Sequence, residues 1–507
     1  MPIPRRWAAR AALAGAAVAA LAAVAEPGAA RADEPPGPDW STHPYLPPVP
    51  VYRLRLALEE VGAVAIALVG YAIQDPPESV PGVRMPIRPW EKLTFQPGTW
   101  AFDADDFGTN MVGHPTAGTV YYLIARGNRV SIPEAFAWTL GASLLWELVE
   151  YKEPVSINDQ IMAPAGGLAI GEAMSQLSAW FERSGDDAFS KAMAFLFNPA
   201  RKIHDWIDGV RLERDPRAVG WHEFTAFGGV GALRQSASGA TYGVAQAGVG
   251  SRLFHAPGYG EAGQGRFAFG DGNASRVGLG LTFTTSDVVD FLFDTETALA
   301  GLYVRDIDGT GDGRSGFDLF LGGTAGYEYG YHRWDLSTGT VNRIALVRLP
   351  GMDLRARWFA GAWTLAAGLG AALTFGGVQP FALQGPASFP GGTTVPAVLL
   401  ANGYYYALGV RCAPALEVGL GPAAVGGAAW LDLLTGLTSP NVVEFPGRMV
   451  QLDDQRTLVT AWGRVRATDP PLEAAVVAQW RSRSGSADAL RRSEEERSLT
   501  GRLAVVF

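Results

Sequence analysis

The chain has 507 residues, of which 48% are hydrophobic and 18% charged, and a formal charge of −9 at pH 7. An acidic balance without a long basic run argues against a nucleic-acid partner. One cysteine, Cys412, rules out an intrachain disulfide and a lipid-carrying cysteine behind a leader. The length exceeds what a single ordinary core fills and points to two units.

The first stretch reads as a secretory signal peptide over residues 1–32. Arg5, Arg6 and Arg10 form a basic start, Ala11 to Ala25 an apolar centre, and Ala30-Arg31-Ala32 an A-x-A cleavage site. The apolar centre is shorter than the roughly 20 residues of a spanning helix. Residues 33–50, DEPPGPDWSTHPYLPPVP, form a proline-rich lead segment expected to be extended.

Residues 51–215 read as a helical module, with helices expected over 51–73, 115–126, 133–151 and 159–183. Pro115 and Pro133 suit first turns, Ser131 a cap, and Ser156 with Asp159 a capping box. Pro164 and Gly166-Gly167 are expected to kink or split the fourth helix. No uninterrupted apolar run reaches 18 residues, which disfavours a polytopic inner-membrane bundle. The helices are nevertheless apolar nearly all round, so they must bury both faces in protein or in lipid.

Candidate chemistry gathers in "NMVGHPTAGTVYYLIAR". His114, Gly118, Tyr122 and Arg126 are four residues apart and share one helix face, with Asn110 ahead of them and Tyr121 alongside. The next segments add Glu147 and Glu150 from WELVE, Ser156, Asn158 and Asp159 from SIND, and Glu172 from GGLAIGE. A histidine meeting buried carboxylates has the means for acid–base work, with His114, Glu147, Glu150 and Glu172 as the catalytic candidates. Such residues in an apolar bundle more often satisfy one another as a structural polar network. Six histidines without H-x-x-x-H or H-E-x-x-H spacing do not define a zinc site, and no G-x-S-x-G elbow, Walker loop or dinucleotide fingerprint occurs. No cofactor is implied.

From 216 to 507 the pattern changes to strand periodicity. In ERSLTGRLAVVF, Leu499, Gly501, Leu503, Val505 and Phe507 lie opposite Ser498, Thr500 and Arg502. Leu472, Ala474, Val476, Ala478 and Trp480 lie opposite Glu473, Gln479 and Arg481; a long polar loop is expected from Ser482 to Glu496. Val277 to Phe283, Phe317 to Tyr331 and Tyr404 to Val410 alternate in the same way. The segments are long, aromatic at their ends and polar on the second face, as in a membrane barrel. In an exported chain a closed barrel is also the only non-helical structure that crosses lipid with every backbone group satisfied. About 12 strands are expected, the count being even in bacterial barrels of one chain. Within this region DIDGTGDG places Asp306, Asp308 and Asp312 in a loop. It is a weak calcium candidate, because Phe317 stands where an EF-hand needs Glu.

The helical motifs N-x-x-x-H-P-x-x-G-x-x-Y-Y-x-x-A-R (110–126), S-x-x-W-E-x-x-E (143–150), P-x-S-x-N-D (154–159) and G-G-x-x-x-G-E (166–172) resemble a bacterial family catalogued as a domain of unknown function, number 3943 of its series. The resemblance covers roughly 90–210. It implies a helical module joined to an outer-membrane barrel and carries no activity with it.

The fold class expected is therefore α+β, an N-terminal helical module followed by a C-terminal antiparallel transmembrane β-barrel in the outer membrane of a Gram-negative-type envelope. The module is expected in the periplasm or at the inner leaflet, docked on the mouth, plugging the lumen, or bound to lipid. Expected partners are outer-membrane lipid and, through a last strand ending in Phe507, the barrel assembly machinery. A non-enzymatic transport, assembly or scaffold role is expected, with a membrane-embedded hydrolase or lipid-modifying enzyme as the alternative.

Overall fold

The computed structural model describes residues 51–74, 87–103, 105–150, 153–185, 187–210, 221–256, 258–270, 274–383, 399, 403–437 and 451–507. The expected signal peptide and proline-rich lead lie outside the described residues. Helices come first: α1 (Arg53–Gln74), α2 (Pro89–Leu93), α3 (His114–Gly127), α4 (Ile132–Val149), α5 (Asp159–Gly166), α6 (Glu172–Ser184), α7 (Ala188–Phe197) and α8 (Pro199–Ile207). Sequence chemistry sets their starts. Ser131 accepts from the Glu134 amide, Asp187 from Phe189 and Ser190, and Asn198 from Arg201. A two-stranded parallel pair, β1 (Trp100–Ala101) with β2 (Val155–Ser156), ties the loop before α3 to the loop before α5.

The irregularity expected around Gly166-Gly167 is a change of helix type, which divides the segment into α5 and α6. One π-helical turn, Gly167–Gly171, links α5 to α6, and another, Thr109–Gly113, leads into α3. A π turn accommodates the extra residue without giving up the helical ladder. The backbone of α3 crosses that linkage in contact with it. A Cβ on Gly118 would collide with the carbonyl of Ala163, and one on Gly167 with the carbonyl of Gly118. Tyr122 likewise fills the space over Gly171. Small residues that let backbones meet are the packing device of helices in lipid.

The strands are β3 (Trp221–Gln235), β4 (Thr241–Phe254), β5 (Gly263–Phe269), β6 (Ala274–Phe283), β7 (Val288–Asp308), β8 (Ser315–Asp335), β9 (Thr340–Ala360), β10 (Trp363–Val378), β11 (Tyr405–Leu420), β12 (Ala423–Gly436), β13 (Leu452–Arg466), β14 (Leu472–Ala487) and β15 (Leu490–Val506). All but β5 form a closed antiparallel barrel of 12 strands, the ring completed by β7 on β8 and by β15 on β3. The short β5 pairs with the outer stretch of β7 beyond the end of β6. Closure leaves no edge, which is the condition for a sheet in hydrocarbon. The polar loop expected over Ser482–Glu496 is instead strand: β14 and β15 pair from Leu472↔Val505 to Ala487↔Leu490 across a turn of two residues. Its polar residues face the interior or rise above the apolar band, so low hydrophobicity there does not mean loop.

Partners across the ring reveal which face is inward. Glu328 of β8 takes Arg411 of β11 at 2.6 Å and Arg456 of β13 at 2.9 Å, and both arginines also reach Asp432 of β12. His332 of β8 meets Glu496 of β15 at 2.7 Å, and Arg481 of β14 meets Asp290 of β7 at 2.7 Å. These residues therefore point into the lumen. The alternate positions, Val230, Leu369, Leu416, Val425, Val476, Leu499 and Leu503, point outward and are exposed.

The outward face is not bare all round. Tyr327, Ala345, Val347, Phe375, Tyr404 and Tyr406, all outward by this alternation, are buried in one cluster with Met111, Tyr122, Met162, Ala165 and Leu168 of the helices. The module thus lies against the outer wall of the barrel, neither plugging the lumen nor sitting across its mouth. The helices also run along the wall's height. Met111 abuts Gly377, at the end away from the termini, whereas Leu177 and Phe181 of α6 pack on Leu253 and Phe224, at the end that holds Trp221 and Phe507. α3 and α5–α6 run toward the terminal end. α1 and α4 return from it, since Arg53 pairs with Glu134 there and Tyr71 meets Trp146 at the other end. α1 is long and apolar enough to cross a membrane, and Leu54, Leu58, Ile66 and Ile73 on it are each at least 66% exposed.

Candidate functional site

At the end of the bundle away from the termini, the loops around β1 and β2 gather a polar cluster between the helices and the wall. His114 opens α3 and Asp159 opens α5, and Nε2 of the first stands 3.1 Å from Oδ2 of the second. Asp159 also accepts from the Asn158 amide group at 2.8 Å, and its backbone N–H is capped by Ser156 Oγ. Glu147, without exposed surface, accepts from the Ser156 N–H at 2.7 Å.

Asp103 sits at the centre. Asn158 donates to it at 3.2 Å and accepts from its N–H at 3.0 Å. The Tyr406 hydroxyl donates at 3.2 Å, and Asn110 donates as well. Asn110 spreads its amide over Tyr404 at 2.8 Å and Tyr406 at 2.7 Å, so two hydroxyls, from the start of β11 and the residue just before it, are built into the cluster. The barrel wall supplies part of the site.

Beneath this cluster Lys92 of α2, with no exposed surface, donates to the backbone carbonyls of Glu147 and Glu150. It caps the C-terminal end of α4, where carbonyls are unpaired and a cation is favoured. Burial lowers the Lys92 pKa, with Glu147, Glu150 and Glu153 opposing. Glu150, just beyond α4, is pushed up to about 9 by burial and then by Glu147 and Glu153. It is neutral at pH 7.

The remaining candidates fall elsewhere. Glu172 lies more than three turns beyond Asp159 along α5–α6 and belongs to a separate set: it pairs with Arg126 at 2.9 Å and accepts from Tyr122 at 2.9 Å and Gln176 at 3.3 Å. Tyr121 faces away, among Val64 and Ala142. Of the three aspartates expected in one loop, Asp306 and Asp308 instead lie within the end of β7 and Asp312 alone sits in the turn beyond it; Asp306 accepts from Gln264 at 2.9 Å, and no group of three or more metal-ligating side chains is found among the described residues. Asn110, His114, Glu147, Ser156, Asn158 and Asp159 come together. Lys92 and Asp103 complete them from segments with no helical pattern of their own, and Tyr404 and Tyr406 from a strand 300 residues downstream by contact rather than by spacing.

A closed antiparallel barrel, apolar outside and ion-paired inside, defines an outer-membrane β-barrel protein. Residues 99–200 match the family described as "Domain of unknown function (DUF3943)", the stretch that holds the cluster apart from Lys92 and the two tyrosines. Among solved structures the chain resembles a loop L8 deletion mutant of OmpT, an outer membrane protein of Vibrio cholerae (11% identity, 56% of this chain and 99% of that one, TM-score 0.17). It also resembles Pseudomonas aeruginosa OprD (10%, 57% and 98%, 0.19) and the translocator domain of the autotransporter NalP from Neisseria meningitidis (11%, 63% and 97%, 0.20). No curated protein matches the chain.

Proposed function

We propose that the barrel is a closed outer-membrane platform and that the protein's work is done by the helical module, held in the lipid against the barrel wall. One observation carries this reading: on the same strands, the luminal side chains pair across the lumen while the outward ones are covered by helices. The ion pairs around Glu328 and His332 leave a cavity of about 60 Å³ beside them, lined by Asp290, Glu328, His332, Arg456 and Arg481, while nearer the termini a wider one of about 320 Å³ is lined by Glu223, Arg252, Glu417, Arg464 and Arg502. At the terminal mouth Tyr259 stacks on Phe254 at 4.0 Å and lies under Arg357, which is bound to Asp318. At the other end Phe381 is buried against Trp334.

The bare face of α1 fits lipid. Its 22 residues extend roughly 33 Å, the thickness of a hydrocarbon core. Short hairpins at 361–362 and 421–422 and both barrel termini share one end, which is the periplasmic end by the usual asymmetry of such barrels. The His114 cluster then lies toward the outer leaflet. Phe507, exposed and bonded through its backbone to Phe224, remains available to the assembly machinery.

The conductance of the full chain in planar bilayers tests the closed lumen: silence is expected, and steady single-channel current would refute it. For the module, Ile66→Cys in a Cys412→Ser background, labelled with a fluorophore, should be quenched by lipids brominated on their acyl chains. Quenching only by a water-soluble quencher would move the module out of the bilayer.

A further inference from the structure

The cluster around His114 has a feature that a purely structural network lacks. Nε2 of His114 is enclosed 3.1 Å from Asp159 Oδ2, close but outside hydrogen-bond geometry, yet the side chain keeps 18% of its surface exposed, and Nδ1 is not enclosed and has no hydrogen bond among the described residues. A carboxylate behind one ring nitrogen and an open second nitrogen is the arrangement of a general base. Two further buried acceptors in the cluster, Asn110 Oδ1 and Glu147 Oε1, have no donor among the described residues, although both residues are without exposed surface. Buried polar atoms without partners are rare and mark a role beyond packing. The π turn at Thr109–Gly113 sets the angle at which His114 leaves the loop, and π turns concentrate at functional sites.

We propose that His114, held by Asp159, is the base of a hydrolytic site for the acyl esters of membrane lipids. The proposal rests on the bilayer placement of the module. Val112 and Val120, on either side of His114, are exposed apolar residues, so a substrate reaching the ring from the side of the bundle presents hydrocarbon. Nδ1 takes a proton from water as the water oxygen bonds to the ester carbonyl carbon. Asp159 holds the resulting imidazolium through Nε2–H. When the C–O bond breaks, the imidazolium returns the proton to the departing alkoxide oxygen, leaving a fatty acid and the deacylated lipid. Asp103, Asn158 and Ser156 are positioning residues for Asp159; Tyr404 and Tyr406 fix Asn110 and Asp103 from the wall.

The purified full chain in vesicles of phosphatidylethanolamine and phosphatidylglycerol, and in vesicles containing lipopolysaccharide, should release fatty acid detectable by mass spectrometry. His114→Asn and Asp159→Asn should lower that rate at least about 100-fold, whereas His222→Asn, at the far rim, should leave it unchanged. The rate should also rise with pH through a single titration that His114→Asn removes. Where the variants fail to fold, carbethoxylation of His114 in the parent should abolish release, and hydroxylamine should restore it. No release from either vesicle together with no hydrolysis of a short-chain ester in detergent, or release within twofold of the parent from His114→Asn, would overturn the proposal. Hydrolysis of a short-chain ester in detergent without release from vesicles would retain the base and instead remove the bilayer placement.

Discussion

Strands β8 to β11 carry two polar systems back to back, and the two are built differently. Inside, Glu328 and Asp432 face Arg348, Arg411 and Arg456, and each carboxylate is held by at least two guanidinium groups. Outside, Asp103, Glu147 and Asp159 share His114, amide groups and tyrosine hydroxyls, and Lys92 spends its donors on backbone carbonyls. The first arrangement balances charge and locks the lumen. The second has few cations among the described residues and holds protons instead, which makes it soft where the lumen is rigid. Buried charge is tolerated where its opposite is adjacent and becomes chemically responsive where it is not.

The largest expected effect lies inside. Glu328→Gln leaves three arginines with one carboxylate fewer and should cost about 3–5 kcal/mol of barrel stability, read as a lower temperature at which the folded band disappears in semi-native gels. An unchanged temperature would mean the luminal lattice is no firmer than the outer cluster.

The helix contact comes next. Gly118→Val forces α3 off Ala163 and should cost about 3 kcal/mol, with trypsin cleaving the module while the barrel keeps its folded mobility. A module as resistant as the parent's would show that the close crossing is dispensable.

Smaller still is the join between wall and module. Tyr404→Phe with Tyr406→Phe removes hydrogen bonds worth about 1 kcal/mol each, and hydrogen exchange should speed up over 102–111 but not in β11. Uniform slow exchange would place the strength of the join in Met111, Phe375 and Val347 alone.

The finest test is pH. Because Glu150 is raised from an ordinary carboxylate value to about 9, its contribution to module stability is complete at low pH and is lost as the pH rises toward 9, since the unfolded chain ionises first. Module unfolding at pH 8 should be easier than at pH 5, and Glu150→Gln should reduce the difference. An equal slope in that variant would shift the cause to Glu147 and Asp159.

Much of this was open to reading in the chain itself. Alternation in Leu499 to Phe507 and in Phe317 to Tyr331 declares a two-faced strand, because a period of two leaves no other use for that spacing. The faces of α3 are equally plain from His114, Gly118, Tyr122 and Arg126. The helices α7 and α8 were harder to see, being short and sustained by their caps at Asp187 and Asn198. Sequence spacing groups Glu172 with His114, yet the structure separates them, because α5–α6 runs on for more than three turns between Asp159 and the Arg126 pair.

The sequence by itself determined the two secondary-structure regimes, the closed barrel they imply and the side of each strand that is polar, since those follow from local periodicity and from the need to satisfy backbone groups in lipid. Only the tertiary structure decided that the helices lie on the outer wall and that Tyr404 and Tyr406 join Asn110 and Asp103. The physical reason is that lipid and an apolar helix ask the same thing of an outward side chain. Tyr327, Val347 and Phe375 would suit either neighbour, and which one covers them depends on contacts between segments far apart in the chain.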